Sequence, residues 1–406
     1  MTTAVPLDDA QFYADDPDPA LADLRRRCPV YYHPAGNFWV LTRHADLQEV
    51  SKDPARFCSG QGVLLADRAR AIAAADSILY LDPPIHGRYR KLVSRAFTPR
   101  TVATLEPRIR QLTVELLDQL DPTVPVDAVD ALSAPLPLFV IAEMLGVPAS
   151  DREAFRRWSD AIMEAATDLN DANAALAAEL LLYFDERLQA RVDHPGDDLL
   201  SALVTATVDG ERLTRDEQLG FCMTLLVAGN ETTRSLITGG LIALAQHPEQ
   251  RAQVVADPGL LPQAVEELLR WVTPIMAMAR TATGDTAVGG EPIAQGDYVV
   301  LSYAAANRDE EAFGPDAARF DITRSPNPHL AFGFGEHYCL GAGLARVEAR
   351  VLFDELLRRW PFFQLAGEPT RVPSTLLRQV AHLPILFDPS RGEHPSPSVG
   401  PSHSPS

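Results

Sequence analysis

The chain has 406 residues, a formal net charge of −19 and 46% hydrophobic residues. So acidic a chain lacks the basic footprint that a phosphate backbone demands, which argues against a nucleic-acid binder, while the apolar fraction is ample for a large core. The four cysteines, Cys28, Cys58, Cys222 and Cys339, are too scattered for a disulfide framework and suit a reducing cytoplasm. The stretch from Met1 to Asp9 has neither the basic start nor the apolar run of a signal peptide, and no apolar run reaches spanning length, so no membrane anchor is expected. Without repeats or a Gly/Ser-rich linker, residues 1–388 read as one globular domain. The Pro/Ser-rich tail 389–406 lacks apolar anchors and is expected to be disordered.

Along the chain, residues 17–27 show an amphipathic helical pattern, and Val30 to Tyr32 and Phe38 to Leu41 flank a Pro/Gly turn as a hairpin. His44 to Ser51 is helical again, and 61–81 is an uncommitted loop. A helix follows Asp82-Pro83-Pro84, carrying His86 and Arg90 at i and i+4, one above the other and able to clamp two carboxylates. Arg88, Lys91, Arg95 and Arg100 lie beside them; taken alone, such a cluster is a solvated face balancing charge elsewhere. Helical patterns fill 104–120, 134–145, 151–167 and 172–192, and the apolar stripe Leu180 to Phe184, open to a core or a substrate-lid reading, is taken as core.

Thr214-Arg215-Asp216-Glu217 is a capping box, and the helix it opens runs to His247-Pro248. Midway, Ala228-Gly229-Asn230-Glu231-Thr232-Thr233 places a glycine that costs about 1 kcal/mol against alanine. A packing notch explains Ala-Gly alone, and the hydroxyls that follow can distort the helical ladder. Glu267 and Arg270 form an i, i+3 pair of a kind that also arises at Glu355 and Arg358. Further small strands are expected between Gly289 and Tyr303.

The run Phe332-Gly333-Phe334-Gly335 is too glycine-rich for a helix and reads as a tight loop approaching something closely. Cys339 follows it at the start of a helical pattern, where unpaired N–H groups and the helix dipole are expected to hold it as a thiolate. Such a sulfur can be a nucleophile, a zinc ligand or a heme ligand. No base is dependably in reach and the spacing of a zinc site is missing, whereas heme needs one axial sulfur beside an apolar wall.

The run Phe332 to Gly341 resembles the heme-binding signature of the cytochrome P450 family, with the similarity extending through Leu344-Ala345-Arg346 and other blocks between about residues 10 and 388 standing in the family's order. The resemblance implies a mainly α fold, a large helical domain with small β-sheets at one side. It implies Cys339 as the thiolate ligand of the iron in heme b (iron protoporphyrin IX), Phe332 packed against it, Gly333 in the loop, and Gly341 letting the next helix pass close to the macrocycle. His86, Arg90, Arg280 and His337 would bind its propionates. Ala228 and Gly229 would border it on the oxygen-binding helix, where Thr232 would hydrogen-bond dioxygen and Glu231 would help relay protons. Ile275 and Met276 would face substrate, and Glu267, Arg270 and Arg319 would form a buried structural triad.

The implied activity is a cytoplasmic, monomeric monooxygenase that hydroxylates a lipophilic small molecule with electrons from a ferredoxin and its reductase. The basic cluster after His86 would then suit an acidic electron donor. A peroxide-driven peroxygenase and a non-catalytic heme sensor or carrier are the alternatives, and neither has use for the Glu231-Thr232 pair.

Overall fold

The computed structural model describes residues 5–68, 77–165, 171–196, 198–208 and 210–388. Its axis is the 32-residue helix Arg215–Gln246. The Thr214 hydroxyl accepts from the Glu217 N–H, and the Glu217 carboxylate accepts from the Thr214 N–H at 2.7 Å, so both halves of the expected capping box are made. The helix stops at His247, and Pro248, which has no N–H to offer, starts the next one, Pro248–Ala256. Helices Pro135–Met144, Leu261–Val272 and Ala342–Arg359 pack around this axis. Pro135–Met144 is apolar on nearly every side, as a helix enclosed by others must be.

Helix Pro99–Leu117 lies against Ala342–Arg359 and begins before the expected residue 104, because the Thr98 hydroxyl accepts from Thr101 N–H and Pro99 suits the first helical position. Helices Arg152–Ala165 and Asp171–Asp193 pack on each other. In the second of these, helical period divides the Leu180 to Phe184 stripe. Leu180 and Phe184, four apart, are fully buried, while Leu181 is exposed and Leu182 is 65% exposed, so the expected core holds only at its ends.

The principal sheet has five strands in the order Val30–His33, Phe38–Leu41, Tyr298–Ser302, Ala277–Ala282 and Phe57–Cys58. The expected hairpin sets Val30 opposite Leu41, and Phe38–Leu41 then pairs in parallel with Tyr298–Ser302, Val40 facing Val300. Alternation along the central strands feeds two cores. Val40 and Val300 join Leu7, Leu21 and Phe38 on one face, while Leu41 and Leu301 join Leu47 and Val50 on the other. Among the described residues no helix is long and apolar enough to cross a membrane. Part of the expected 61–81 loop, 69–76, and the tail 389–406 lie outside the described residues.

One acid stands apart in the helical core. Glu348, on Ala342–Arg359, is 2% exposed, and its Oε2 has no hydrogen-bond partner among the described residues. Burial alone pushes its pKa up from 4.5 to about 8. The folded protein therefore keeps this proton at neutral pH, and the unfolded chain releases it. The stability it contributes is complete below about pH 4.5 and is lost as pH rises through about 8. Glu348→Gln should flatten that slope, gaining about 3 kcal/mol on the parent protein between pH 4 and pH 7. Urea melts at the two pH values measure it; equal slopes for the two proteins would contradict it.

Candidate active site

The cysteine loop is bent by Gly333 at φ +69° and Gly335 at φ +73°, left-handed conformations that favour glycine, and a single 3₁₀ turn, Gly335–His337, follows. At Gly335 a side chain would also run into the Ser51 carbonyl oxygen. The Cys339 N–H donates to the Phe332 carbonyl at 2.9 Å, closing the loop, and Phe332 itself is buried. Helix Ala342–Arg359 begins directly after Gly341. A methyl group placed on Gly341 would meet nothing within 4 Å, so the loop borders open space there.

Cys339 is accessible, yet protein surrounds its sulfur so closely that burial is the largest influence on its pKa; it faces an internal space. Burial pushes the thiol up, while the Gly341 and Ala342 N–H groups and the charges of Arg90 and Arg346 pull it down. The upward push is the larger, so the donors at the helix start do not by themselves offset burial. The donors are in place, and a metal cation bound to the sulfur would hold it as a thiolate.

Next to the sulfur, His86, Arg90, Arg280 and His337 come together as expected. The His86 and His337 rings are 4.1 Å apart, and the His337 Nε2 lies 3.2 Å from the Ser59 Oγ. His337 is driven down to about 3 by burial and by the positive charges of Arg280, His86 and Arg90. His86 is lowered by burial, Arg90 and Arg280 against the pull of Asp82. Arg90 donates to the Tyr338 carbonyl, and the buried Arg280 donates to the Ala279 carbonyl at 2.6 Å. Among the described residues no carboxylate pairs with Arg280. A buried guanidinium without a counter-ion is costly, so this cluster is built for an anion. A flat group with two carboxylates and a metal centre open to sulfur fits the cations, the thiol and the open space at Gly341 together. Heme has that chemistry.

On the central helix, Val227 and Ala228 are exposed midway along an element whose flanks are buried, so they too face an internal space. The Thr232 hydroxyl donates to the Ala228 carbonyl at 2.8 Å. A methyl group placed on Gly229 would lie 3.5 Å from Ile141, an ordinary contact. The helix nonetheless runs unbroken through these residues, without the distortion their hydroxyls can cause. Glu231 is buried; its carboxylate accepts from Gln379 Nε2 at 2.6 Å and lies 3.6 Å from Arg234. Gln379, 148 residues away, carries no local signal that would have tied it to Glu231.

Two expected roles change. Met276 is 1% exposed and belongs to the core beneath the sheet with Leu7 and Leu21, so it does not line a pocket; Ile275, half-buried, bridges to Leu377. The buried charge triad is Glu267, Arg270 and Arg324. Glu267 and Arg270, both 0% exposed, meet through two hydrogen bonds of 2.7 Å, and Arg324 approaches Glu267 to 3.4 Å. The Arg319 side chain is exposed; only its carbonyl takes part, accepting from Arg270 at 2.8 Å.

A helical bundle holding an internal cysteine between a glycine-bent loop and a helix start, beside an anion-seeking cationic cluster, defines a heme-thiolate class of protein. The chain belongs to the cytochrome P450 family: the family model described as Cytochrome P450 matches residues 154–384. It is 40% identical, over 94% of both chains, to a methyl-branched lipid omega-hydroxylase of Mycobacterium tuberculosis. It is 39% identical to a vitamin D(3) 25-hydroxylase of Pseudonocardia autotrophica, covering 92% of this chain and 94% of that one. The solved structure of CYP109Q5 from Chondromyces apiculatus superposes with a TM-score of 0.84 at 40% identity, covering 93% of this chain and 96% of that one. The protein is an oxidoreductase of the monooxygenase type.

Proposed function

We propose that this monooxygenase binds heme b through Cys339 and hydroxylates a lipophilic small molecule. The observation that carries the assignment is the buried Arg280 guanidinium, paired with no carboxylate among the described residues and grouped with Arg90, His86 and His337 at the cysteine loop. Those four residues would hold the two propionates, Phe332 and Gly333 would wall the sulfur side, and Gly341, Ala228 and Gly229 would leave room for the ring. Bound there, heme supplies the oxygen-activating chemistry, and the thiolate donates electron density to it.

The remaining work falls to side chains. Thr232 holds a proton at Oγ1, now shared with the Ala228 carbonyl, at the inner face of the central helix. Glu231 is the nearest acid in sequence, and its hold on Gln379 and Arg234 fixes the carboxylate until a proton passes. By name one relative acts on a methyl-branched lipid and the other on vitamin D(3), and the apolar Val227 and Ala228 suit a lipophilic substrate. Electrons would come from a ferredoxin and its reductase. Arg88, Lys91 and Arg100 are exposed and offer an acidic donor a positive face; the side chain of Arg95 lies outside the described residues.

Thr232→Ala should leave heme binding intact and divert most reducing equivalents to peroxide, so that peroxide exceeds product per electron consumed, as expected when a proton-transfer group is lost. Peroxide and product assays against consumed reductant measure this, and unchanged coupling would remove Thr232 from the role. Adding lipophilic compounds and watching for a spin-state change in the absorption spectrum tests the substrate class.

A further inference from the structure

Behind the cysteine loop lies a charged network with no part in the roles assigned above. Arg346, on helix Ala342–Arg359, meets Glu266 at both ends, Nε to Oε1 at 2.6 Å and Nη2 to Oε2 at 2.9 Å. Its guanidinium carbon also lies 4.5 Å from the centre of the Phe332 ring, and Phe332 is the residue whose carbonyl receives the Cys339 N–H. His329 closes the network: Nε2 is 3.1 Å from Glu266 Oε2, Nδ1 accepts from the Ala331 N–H, and the ring is 5.9 Å from Phe332. A carboxylate and a guanidinium matched at two points are far more fixed than an ordinary surface pair, although Arg346 is 33% exposed. Hydrogen bonds from Arg346 and His329 outweigh the burial that would raise the Glu266 pKa, and hold it at about 2, so Glu266 is charged at any working pH. Arg346 Nη1 also donates to the Tyr338 Oη at 3.4 Å, one residue before Cys339.

We propose that Glu266 and Arg346 are positioning residues that set how readily the iron held by Cys339 accepts an electron, Arg346 favouring reduction from behind Phe332 and Glu266 restraining it. This rests on the heme-thiolate reading. Reduction adds one negative charge to the site, so a fixed cation nearby stabilises the reduced state more than the oxidised one, and a fixed carboxylate does the opposite. The two residues therefore act with opposite sign. A merely loosened loop would let water reach the sulfur whichever residue was lost, and would shift both variants in the same direction.

The test is a spectroelectrochemical titration of the purified, heme-loaded full-length protein, with dithionite as electron donor, after its carbonyl spectrum has been recorded. At one fixed potential, Arg346→Gln should hold about tenfold less reduced iron relative to oxidised iron than the parent protein. Glu266→Gln should hold about tenfold more, each shift corresponding to about 59 mV for a one-electron couple. Arg346→Lys, which keeps the charge, should stay near the parent value. Unchanged potentials in both variants, shifts of the same sign, or a Lys variant that moves as far as the Gln variant would each overturn the proposal. If Glu266→Gln does not accumulate, the two Arg346 variants decide it. A parent protein without a thiolate-type carbonyl spectrum would overturn the heme-thiolate reading instead, before any potential is measured.

Discussion

Replacing Cys339 by serine should leave a folded protein that has lost its thiolate-type carbonyl spectrum and has hydroxylation lowered on the order of 10³-fold or more, some 4 kcal/mol of lost transition-state stabilisation. The fold should survive because the bond that closes the loop, from the residue 339 N–H to the Phe332 carbonyl, is main chain and keeps its 2.9 Å geometry with either side chain. What changes is the ligand. A serine hydroxyl ionises far less readily than a thiol, and the Gly341 and Ala342 N–H groups that favour an anion at this position cannot make up the difference. Absorption under carbon monoxide after reduction, together with product analysis, reads both effects. A variant with the parent spectrum would move the iron ligand elsewhere.

Arg270→Ala should be the most damaging change to stability. The guanidinium makes two 2.7 Å hydrogen bonds to Glu267 and donates to the buried carbonyls of Asn307 and Ala317 and to the partly buried carbonyl of Arg319. Its removal takes two hydrogen bonds from the buried Glu267 carboxylate, which keeps Arg324, Asn327 and the Asp321 N–H, and takes this donor from the Asn307 and Ala317 carbonyls; breaking a buried pair of this kind costs about 3–5 kcal/mol out of a total stability of about 5–15. The expected result is little soluble, heme-loaded protein, seen as a collapse of the urea midpoint or of expression. Arg319→Ala, by contrast, trims an exposed side chain and leaves the carbonyl in place, so it should stay within about 0.5 kcal/mol of the parent. Equal losses in the two variants would restore Arg319 to the triad.

These two arginines also mark how far the sequence can be read. Features set by neighbours a turn or less away were legible: the capping box at Thr214 and Glu217, the Glu267–Arg270 pair, and the glycine loop ahead of Cys339. Arg319 and Arg324 sit in one short irregular segment, where no period says which side chain turns inward. Met276 failed for a related reason. It precedes the strand Ala277–Ala282 and packs in the same core as its neighbour Ala277, so alternation along the strand does not say where it points. The burial of the Cys339 sulfur was not legible, because a helix start is visible in sequence, whereas the protein enclosing the sulfur is not. Glu266 and Arg346 are 80 residues apart, and only the fold brings them to the same phenylalanine.

The parallel pairing of Phe38–Leu41 with Tyr298–Ser302 has a consequence for biosynthesis. Val40 leaves the ribosome 260 residues ahead of its partner Val300, since 300 − 40 = 260. At a translation rate of about 5–20 residues per second, the amino-terminal hairpin waits roughly 13–50 s for the strand that completes it. During that interval its open edge is a surface for chaperones to cover, and the sheet can close only late in synthesis, after nearly three-quarters of the chain has emerged.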